Sequence, residues 1–208
     1  MSKLPGLLYS ANGDYAKAQA AFEGLGKAPW KDFQTAAKVA VGRMQLKQNN
    51  IDGAAKTFDE AASGTAESDA EKARRAEAQV GKAACLVKQS KHDDALKLID
   101  EIIKATSTDE AATMASAYVL QGDCLQAQSK MKDAALAYLH VPVLFPQEKA
   151  AHAEALYHLA KISGQIGQPD RAAEARDILL ESFPNSEWAK KLQGDSGAAA
   201  AGDAGKTN

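Results

Sequence analysis

The sequence predicts an all-α fold, built as an array of antiparallel helix pairs, and three observations support this prediction. Alanine, a strong helix former and a poor strand former, accounts for 44 of the 208 residues. The segment 85–95 recurs 39 positions later, at 124–134, with seven identities in eleven positions. Apolar residues recur at helical spacing between short polar turns. Because alanine fills little volume, the helices must approach closely and a few large residues must fill the gaps.

Composition and charge exclude several classes of protein. The chain carries 25 basic and 27 acidic residues, and this balance argues against a nucleic-acid partner. Two cysteines are too few for a disulfide scaffold, and no apolar run reaches the roughly 18 residues that a membrane span needs. The apolar stretch at 4–9 is too short for a secretion signal. We therefore expect a soluble, cytoplasmic protein without a membrane span.

Five copies of one amphipathic pattern define the repeat. Each copy has a small residue, a large residue four positions later and an apolar residue three positions after that, all on one face of a helix. The copies begin at Ala18, Ala54, Ala95, Ala134 and Ala172. The fifth copy has Arg176 where the large apolar residue is expected.

A second small residue precedes each of these alanines by twelve positions. These residues are Gly6, Gly42, Ala83, Gly122 and Ala160. Glycine weakens a helix by about 1 kcal/mol relative to alanine, so its presence requires a reason. A close crossing of two helices supplies that reason, and each repeat is therefore predicted to be a pair of crossing helices.

The pattern predicts ten helices in chain order. They lie near 15–26, 31–47, 51–63, 69–89, 92–105, 108–128, 131–142, 148–165, 170–182 and 186–193. Ser68 with Glu71, and Ser107 with Glu110, have capping-box spacing at the starts of two long helices. Prolines close the second helices of their units at positions 29, 146 and 184. Trp30 and Trp188, at repeat ends, are expected to be packing plugs.

The array is predicted to span 1–193, with about five units and a truncated first unit. The segment 194–208 is rich in glycine-spaced alanines and has no large side chain. Such a segment buries too little surface to offset the entropy of ordering, so we expect a disordered tail.

This pattern resembles the tetratricopeptide (TPR) repeat family, most closely in the fourth copy. The matching positions there are Tyr118, Gly122, Leu125, Ala134, Tyr138, Val141 and Pro146. The resemblance implies a right-handed TPR-like solenoid and a non-enzymatic scaffold that binds a protein or peptide in its concave groove. The stretches 155–160, 179–180 and 183–186 also resemble bacterial envelope TPR proteins of the Tol-Pal-associated cell-division coordinator type.

Carried over by register, the family's groove is lined by the first helix of each pair. The groove positions are then Val39, Arg43, Lys47, Glu77, Val80, Lys88, Val119, Asp123, Gln126, Tyr157 and Lys161. Some family members hold a peptide's terminal carboxylate with a lysine and asparagine clamp, but no asparagine falls at the matching positions here. The alternative is that these positions are solvated repeat surfaces and that the partner binds elsewhere.

No catalytic, cofactor or metal site is expected. Cys85 and Cys124 occupy equivalent places in consecutive repeats, so duplication explains their spacing without chemistry. The four histidines form no metal-binding motif, and no nucleophile or phosphate-binding motif is present. Two alternative functions stay open: an exported envelope assembly or cell-division factor, periplasmic if an export signal lies upstream, and the docking subunit of a separately encoded enzyme.

Overall fold

The computed structural model describes residues 4–204, with side chains described for 5–195. Regular structure within these residues is entirely helical. The eleven α-helices, α1 to α11 in chain order, span Leu4–Ala11, Tyr15–Leu25, Lys31–Lys47, Ile51–Ala62, Asp69–Lys88, His92–Ala105, Ala111–Ala127, Met131–Leu144, Lys149–Ile162, Pro169–Ser182 and Glu187–Ala204. A short 3-10 turn at Gly164–Ile166 follows α9. The all-α prediction is confirmed.

The chain divides into two compact units, Met1–Leu120 and Gln121–Asn208, which meet within α7. In the first unit, consecutive helices from α1 to α6 pack against each other, and α3 also packs against α5. In the second unit, α9 packs against α8, α10 and α11. The predicted single array over 1–193 stays a prediction.

Nine of the ten predicted helices agree with the observed bounds to within three residues. The tenth extends to Ala204, eleven residues beyond its predicted end, because alanine has the highest helix propensity and dominates this stretch. The predicted tail thus begins in a segment that is helical, and residues 205–208 lie outside the described part of the chain. One helix, α1, was not among the ten predicted, although its residue Gly6 was predicted to lie at a close helix crossing.

A shared turn geometry connects the two helices in the first four repeats. The second residue after the first helix has a left-handed backbone, with φ between 59° and 77°, at Gly13, Asn49, Ser90 and Ser129. In the fifth repeat a 3-10 turn follows α9, and the left-handed residue is Gly167. In the second repeat, Asn50 N–H donates to Gln45 O at 2.8 Å and Asn49 N–H donates to Leu46 O at 3.0 Å. This pair of bonds is a Schellman motif, which satisfies the last carbonyls of a helix. The same pair of bonds recurs after α5 and α7.

The two expected capping boxes differ in outcome. Ser68 Oγ accepts from Glu71 N–H at 3.2 Å, and the Glu71 carboxylate accepts from Ser68 N–H at 3.1 Å, so this capping box is confirmed. Ser107 Oγ instead accepts from Asp109 N–H at 3.3 Å. This bond stabilises a short turn before the helix, so that α7 begins at Ala111, three residues after the predicted start.

Glycine in the first helix of a pair lies against a ring from the second helix, as predicted. A β-carbon on Gly6 would lie 2.7 Å from Phe22 Cζ, and one on Gly42 would lie 2.7 Å from Phe58 Cζ. A β-carbon on Gly122 would lie closer still to the Tyr138 ring. These distances are shorter than any real β-carbon tolerates, so only glycine permits these helices to cross as closely as they do. Phe58 also lies against Gly81 of the following repeat, a contact that the sequence pattern did not reveal.

The two tryptophans behave differently from each other. Trp188 packs against the rings of Tyr157 and His158, as expected for a packing plug. Trp30 is 62% exposed and contacts Phe33, with ring centroids 5.7 Å apart. The prediction that Trp30 fills a gap in the core is therefore wrong, because the residue lies in the loop before α3 and its ring stays largely exposed.

The substitution Gly122→Ala should destabilise the protein, whereas Gly24→Ala should stabilise it. The added methyl group at 122 would overlap the Tyr138 ring, at a cost of about 1–3 kcal/mol. At Gly24 the methyl group meets open space, and alanine improves helix propensity by up to about 1 kcal/mol. Urea denaturation followed by circular dichroism measures both changes.

Amide hydrogen exchange then locates the effect of Gly122→Ala. Because repeats contact their neighbours, protection should fall in α8 while α2 and α3 keep theirs. A stability change of the same sign in both variants would contradict the proposed reason for glycine at 122.

Candidate functional site

Two of the predicted groove residues in the first unit are inaccessible. Val39 and Val119 are only 2% and 4% exposed, and Val39 belongs to a core cluster with Phe58. Val80 is half-buried, as is Glu77, whose carboxylate accepts from Arg74 Nη1 at 2.8 Å. A peptide could contact Val39 or Val119 only if the core around them opened.

The remaining groove residues of the first unit are exposed cations. Arg43 and Lys47 lie one helical turn apart on α3, and Lys88 lies at the end of α5. Helices α3 and α5 pack against each other, and each carries exposed positive charge in its C-terminal half. Such side chains bind carboxylates, and they do so more weakly as salt concentration rises.

In the second unit, four polar side chains from α7, α8 and α9 form one cluster. The Tyr138 hydroxyl donates to Asp123 Oδ1 at 2.7 Å and lies 3.0 Å from Gln126 Oε1. The His158 ring stacks on the Tyr138 ring with centroids 4.6 Å apart and planes inclined by 10°. His158 Nδ1 lies 3.2 Å from Gln126 Oε1 and can donate to it when Nδ1 carries the proton. Asp123 and Gln126 are therefore engaged with side chains of their own unit.

His158 is held in its neutral form. Burial, together with the smaller effect of the nearby positive charge of Lys191, lowers the pKa of His158 from 6.5 to about 4. The Asp123 carboxylate favours protonation but lies 3.7 Å from His158 Nε2, beyond hydrogen-bond distance. Because the imidazole is enclosed by aromatic rings, desolvation outweighs this attraction.

Helix α11 contacts the last two predicted groove residues. The Tyr157 hydroxyl donates to Asp195 Oδ2 at 3.0 Å, and Lys161 Nζ donates to the same oxygen at 2.7 Å. The hydrogen bond from Lys161 lowers the pKa of Asp195, and the same bond raises the pKa of Lys161. Lys191 lies over the Tyr157 and Trp188 rings, 4.7 Å and 5.0 Å from their centroids.

Sequence reasoning missed Asp195, because the predicted tail began at 194. Tyr157 is only 6% exposed once α11 is in place. The structure thus brings two predicted groove residues, Tyr157 and Lys161, together at the carboxylate of Asp195. The predicted groove as a whole stays a prediction.

A second surface in the same unit is apolar. Helices α8, α9 and α10 enclose a cavity of about 650 Å³, lined mainly by aliphatic side chains. Leu136 and Val143 at its edge are 59% and 65% exposed. Lys132 and Arg171 are among the charged residues that border it. Exposed apolar surface of this kind is typical of protein-binding sites, and the repeat pattern alone gave no sign of it because the pattern describes buried positions.

Both cysteines are free and buried, at 1% and 0% exposure. Burial raises the pKa of the Cys85 and Cys124 thiols to about 11. In the described part of the chain, no three histidine, cysteine, aspartate or glutamate side chains are grouped to hold a metal ion. None of the described helices is long and apolar enough to cross a bilayer.

The two thiols should not react with Ellman's reagent at pH 7.5 while the protein is folded. The reagent needs an accessible thiolate, and both burial and the raised pKa values prevent its formation. In 6 M urea both thiols should react fully. The variants Cys85→Ala and Cys124→Ala report each thiol separately, and native reaction at the unfolded rate would contradict the buried assignment.

Stability should fall as the pH is lowered from about 6.5 to about 4. In this window the unfolded chain protonates His158, whereas the folded chain does not, so the unfolded state binds more protons. The neutral imidazole of His158 contributes about 3 kcal/mol to the free energy of unfolding. This contribution is fully present above pH 6.5 and is lost as the pH falls toward 4. Urea denaturation at a series of pH values measures the slope.

The variant His158→Phe should flatten this slope because it keeps a ring on Tyr138 without a titrating group. His140→Phe, on an adjacent helix, serves as the control and should leave the contribution of His158 in place. An unchanged slope in His158→Phe would show that another group causes the loss.

Solved structures of low sequence identity share this fold. A thermophilic TPR protein of Thermus thermophilus is 18% identical, with a TM-score of 0.68 over 94% of this chain and 95% of that one. MamA 41-end from Desulfovibrio magneticus is 17% identical, with a TM-score of 0.56 over 88% and 93% of the two chains. YrrB, a TPR protein with an unusual peptide-binding site, is 16% identical, with a TM-score of 0.51 over 90% and 88%. These likenesses establish the fold alone.

Family models give the more specific result. No curated protein matches the sequence significantly. One tetratricopeptide repeat model matches residues 6–70 and 86–149, and a second matches 154–186. Together the matches cover most of the chain. The chain therefore belongs to the tetratricopeptide repeat family.

Proposed function

We propose that this protein is a non-enzymatic interaction scaffold that binds an acidic segment of a protein partner on the first helices of its repeats. TPR repeats serve as surfaces for protein–protein interaction, and family membership supports that general role. The acidic character of the partner is the finer part of the proposal. It rests on the charges that the first helices expose.

One observation carries the acidic preference. Lys161, at a predicted groove position, already binds a carboxylate of this chain, that of Asp195. Arg43, Lys47 and Lys88 are exposed at other predicted groove positions in the first unit. A partner segment with several carboxylates could pair with these cations.

The expected affinity is moderate and depends on salt. An exposed ion pair contributes about 0.2–1 kcal/mol, so three such pairs together change affinity by roughly tenfold. Peptides in grooves of this kind gain further affinity from main-chain hydrogen bonds and apolar contacts. A cytoplasmic location, or a periplasmic one if an export signal lies upstream, stays a prediction from the sequence.

Crosslinking and affinity capture from the native cell test the proposal with three variants. The groove variant is Arg43→Glu/Lys47→Glu/Lys88→Glu. The control variant is Lys56→Glu/Lys97→Glu/Lys104→Glu, which makes the same charge change at exposed lysines on the second helices α4 and α6. A third variant, Leu136→Ser/Val143→Ser, disrupts the apolar surface of the second unit.

The groove variant should capture about tenfold less partner than wild type, and the control variant should capture as much as wild type. Equal capture by the groove variant and wild type would show that the groove assignment is wrong. If only the Leu136→Ser/Val143→Ser variant loses its partners, the apolar surface is the binding site instead.

A further inference from the structure

We propose that helix α11 occupies the peptide-binding surface of the last repeat, where Asp195 takes the place that a carboxylate of the acidic partner would occupy. Partner and helix then compete for Tyr157 and Lys161. This inference rests on the proposed function and adds to it the position of one carboxylate subsite and the segment that fills it.

The geometry at Asp195 is that of a bound carboxylate. Its Oδ2 accepts from the Tyr157 hydroxyl at 3.0 Å and from Lys161 Nζ at 2.7 Å. Both donors project from α9, four residues apart, and therefore from one face of that helix. Lys191 adds a second positive charge near the carboxylate, and this charge also lowers the pKa of Asp195. Two cations and a hydroxyl donor favour an anionic ligand at this place.

The repeat register gives independent support. Lys161 directly follows the small residue Ala160, and Arg43 directly follows the small residue Gly42. The two cations therefore hold equivalent positions in repeats five and two. Arg43 is exposed, whereas Lys161 holds a carboxylate of its own chain. The chain thus contains one example of what this repeat position can bind.

The contact is suited to exchange because only part of α11 is firmly anchored. Ala189 and Leu192 are buried, and Trp188 packs on Tyr157, so the start of the helix is held by apolar contacts. Asp195 lies beyond these anchors, and both partners of its ion pair remain partly exposed to water. Exposed pairs of this kind are weak. Glycines at 194, 197 and 202 further weaken the helix around Asp195.

Opening therefore requires only the segment from about residue 193 onward to leave α9. The anchored first turns of α11 would remain in place. An incoming carboxylate then regains the bonds from Tyr157 and Lys161 that Asp195 gives up, so the exchange leaves no buried donor unpaired.

The test measures binding of an acetylated hexaglutamate peptide to the full-length chain at low salt. All variants carry Trp30→Phe, so that Trp188, which packs against Tyr157, is the only tryptophan. The Lys161→Gln variant described below distinguishes binding at this site from binding to the cations of the first unit, because it leaves those cations unchanged. Hexaglutamine is the uncharged control peptide.

Removal of the internal carboxylate by Asp195→Asn should tighten hexaglutamate binding at least fivefold relative to the Trp30→Phe parent. Asp177→Asn, the same charge change at an exposed site on α10, should leave the dissociation constant unchanged. Adding Lys161→Gln to Asp195→Asn should abolish the gain, and hexaglutamine should show no gain in any variant.

Amide exchange on the same samples gives a second readout. In the parent, saturating hexaglutamate should lower protection in 193–204 while 187–192 keeps its protection. The inference is overturned if Asp195→Asn binds no tighter than its parent, including no binding at all, or if Asp177→Asn shows the same gain. The groove variant of the capture experiment changes only residues of the first unit, whereas the hexaglutamate experiment changes only residues of the second unit apart from the shared Trp30→Phe. A negative result in the capture experiment therefore does not overturn the inference about Asp195, and a negative result with hexaglutamate does not overturn the proposed function.

Discussion

The structure depends on the close crossing of two helices at a glycine. In three pairs the ring of a second-helix aromatic residue lies directly on a first-helix glycine, and Phe58 lies between Gly42 and Gly81 of successive repeats. The ring sets the distance between the two helices. Glycine is required at the crossing because a β-carbon there would overlap the ring at that distance. Alanine at the other crossing positions then suffices to fill the core, as the fully buried Ala54, Ala95 and Ala134 show.

The described surface contains two chemically different regions. First helices expose cations near their ends, such as Arg43, Lys47 and Lys88. Second helices of the second unit border an apolar cavity with Leu136 and Val143 exposed. An interaction scaffold uses such surfaces directly, because a repeat fold has few other places for a ligand. The charged surface and the apolar one call for partners of different chemistry.

Helix α11 gives the charged surface of the second unit a partner from its own chain. Asp195 binds Tyr157 and Lys161, both at predicted groove positions, while Trp188 extends the ring cluster formed by Tyr157, His158 and Tyr138. The same helix therefore both closes the aromatic core of the last repeat and covers its polar face. These two roles involve different turns of α11. The apolar contacts at its start are buried, whereas the ion pair of Asp195 is partly exposed.

The sequence by itself determined nine of the helices and the small-to-large register of the first four repeats, because these depend mainly on neighbours within about seven residues. In the fifth repeat the predicted Ala172 is only half-buried and Arg176 is exposed, whereas Ala175 is buried. The left-handed residues at Asn49, Ser90 and Ser129 and the capping box at Ser68 are local in the same sense. Only the tertiary structure decided which groove positions are accessible. Val39 and Val119 are buried by packing, and Asp195 reaches Lys161 from 34 residues away. Periodicity assigns a residue to a face of its own helix, but what covers that face depends on distant helices, and for this reason the exposed Trp30 and the contacts of α11 could not be foreseen.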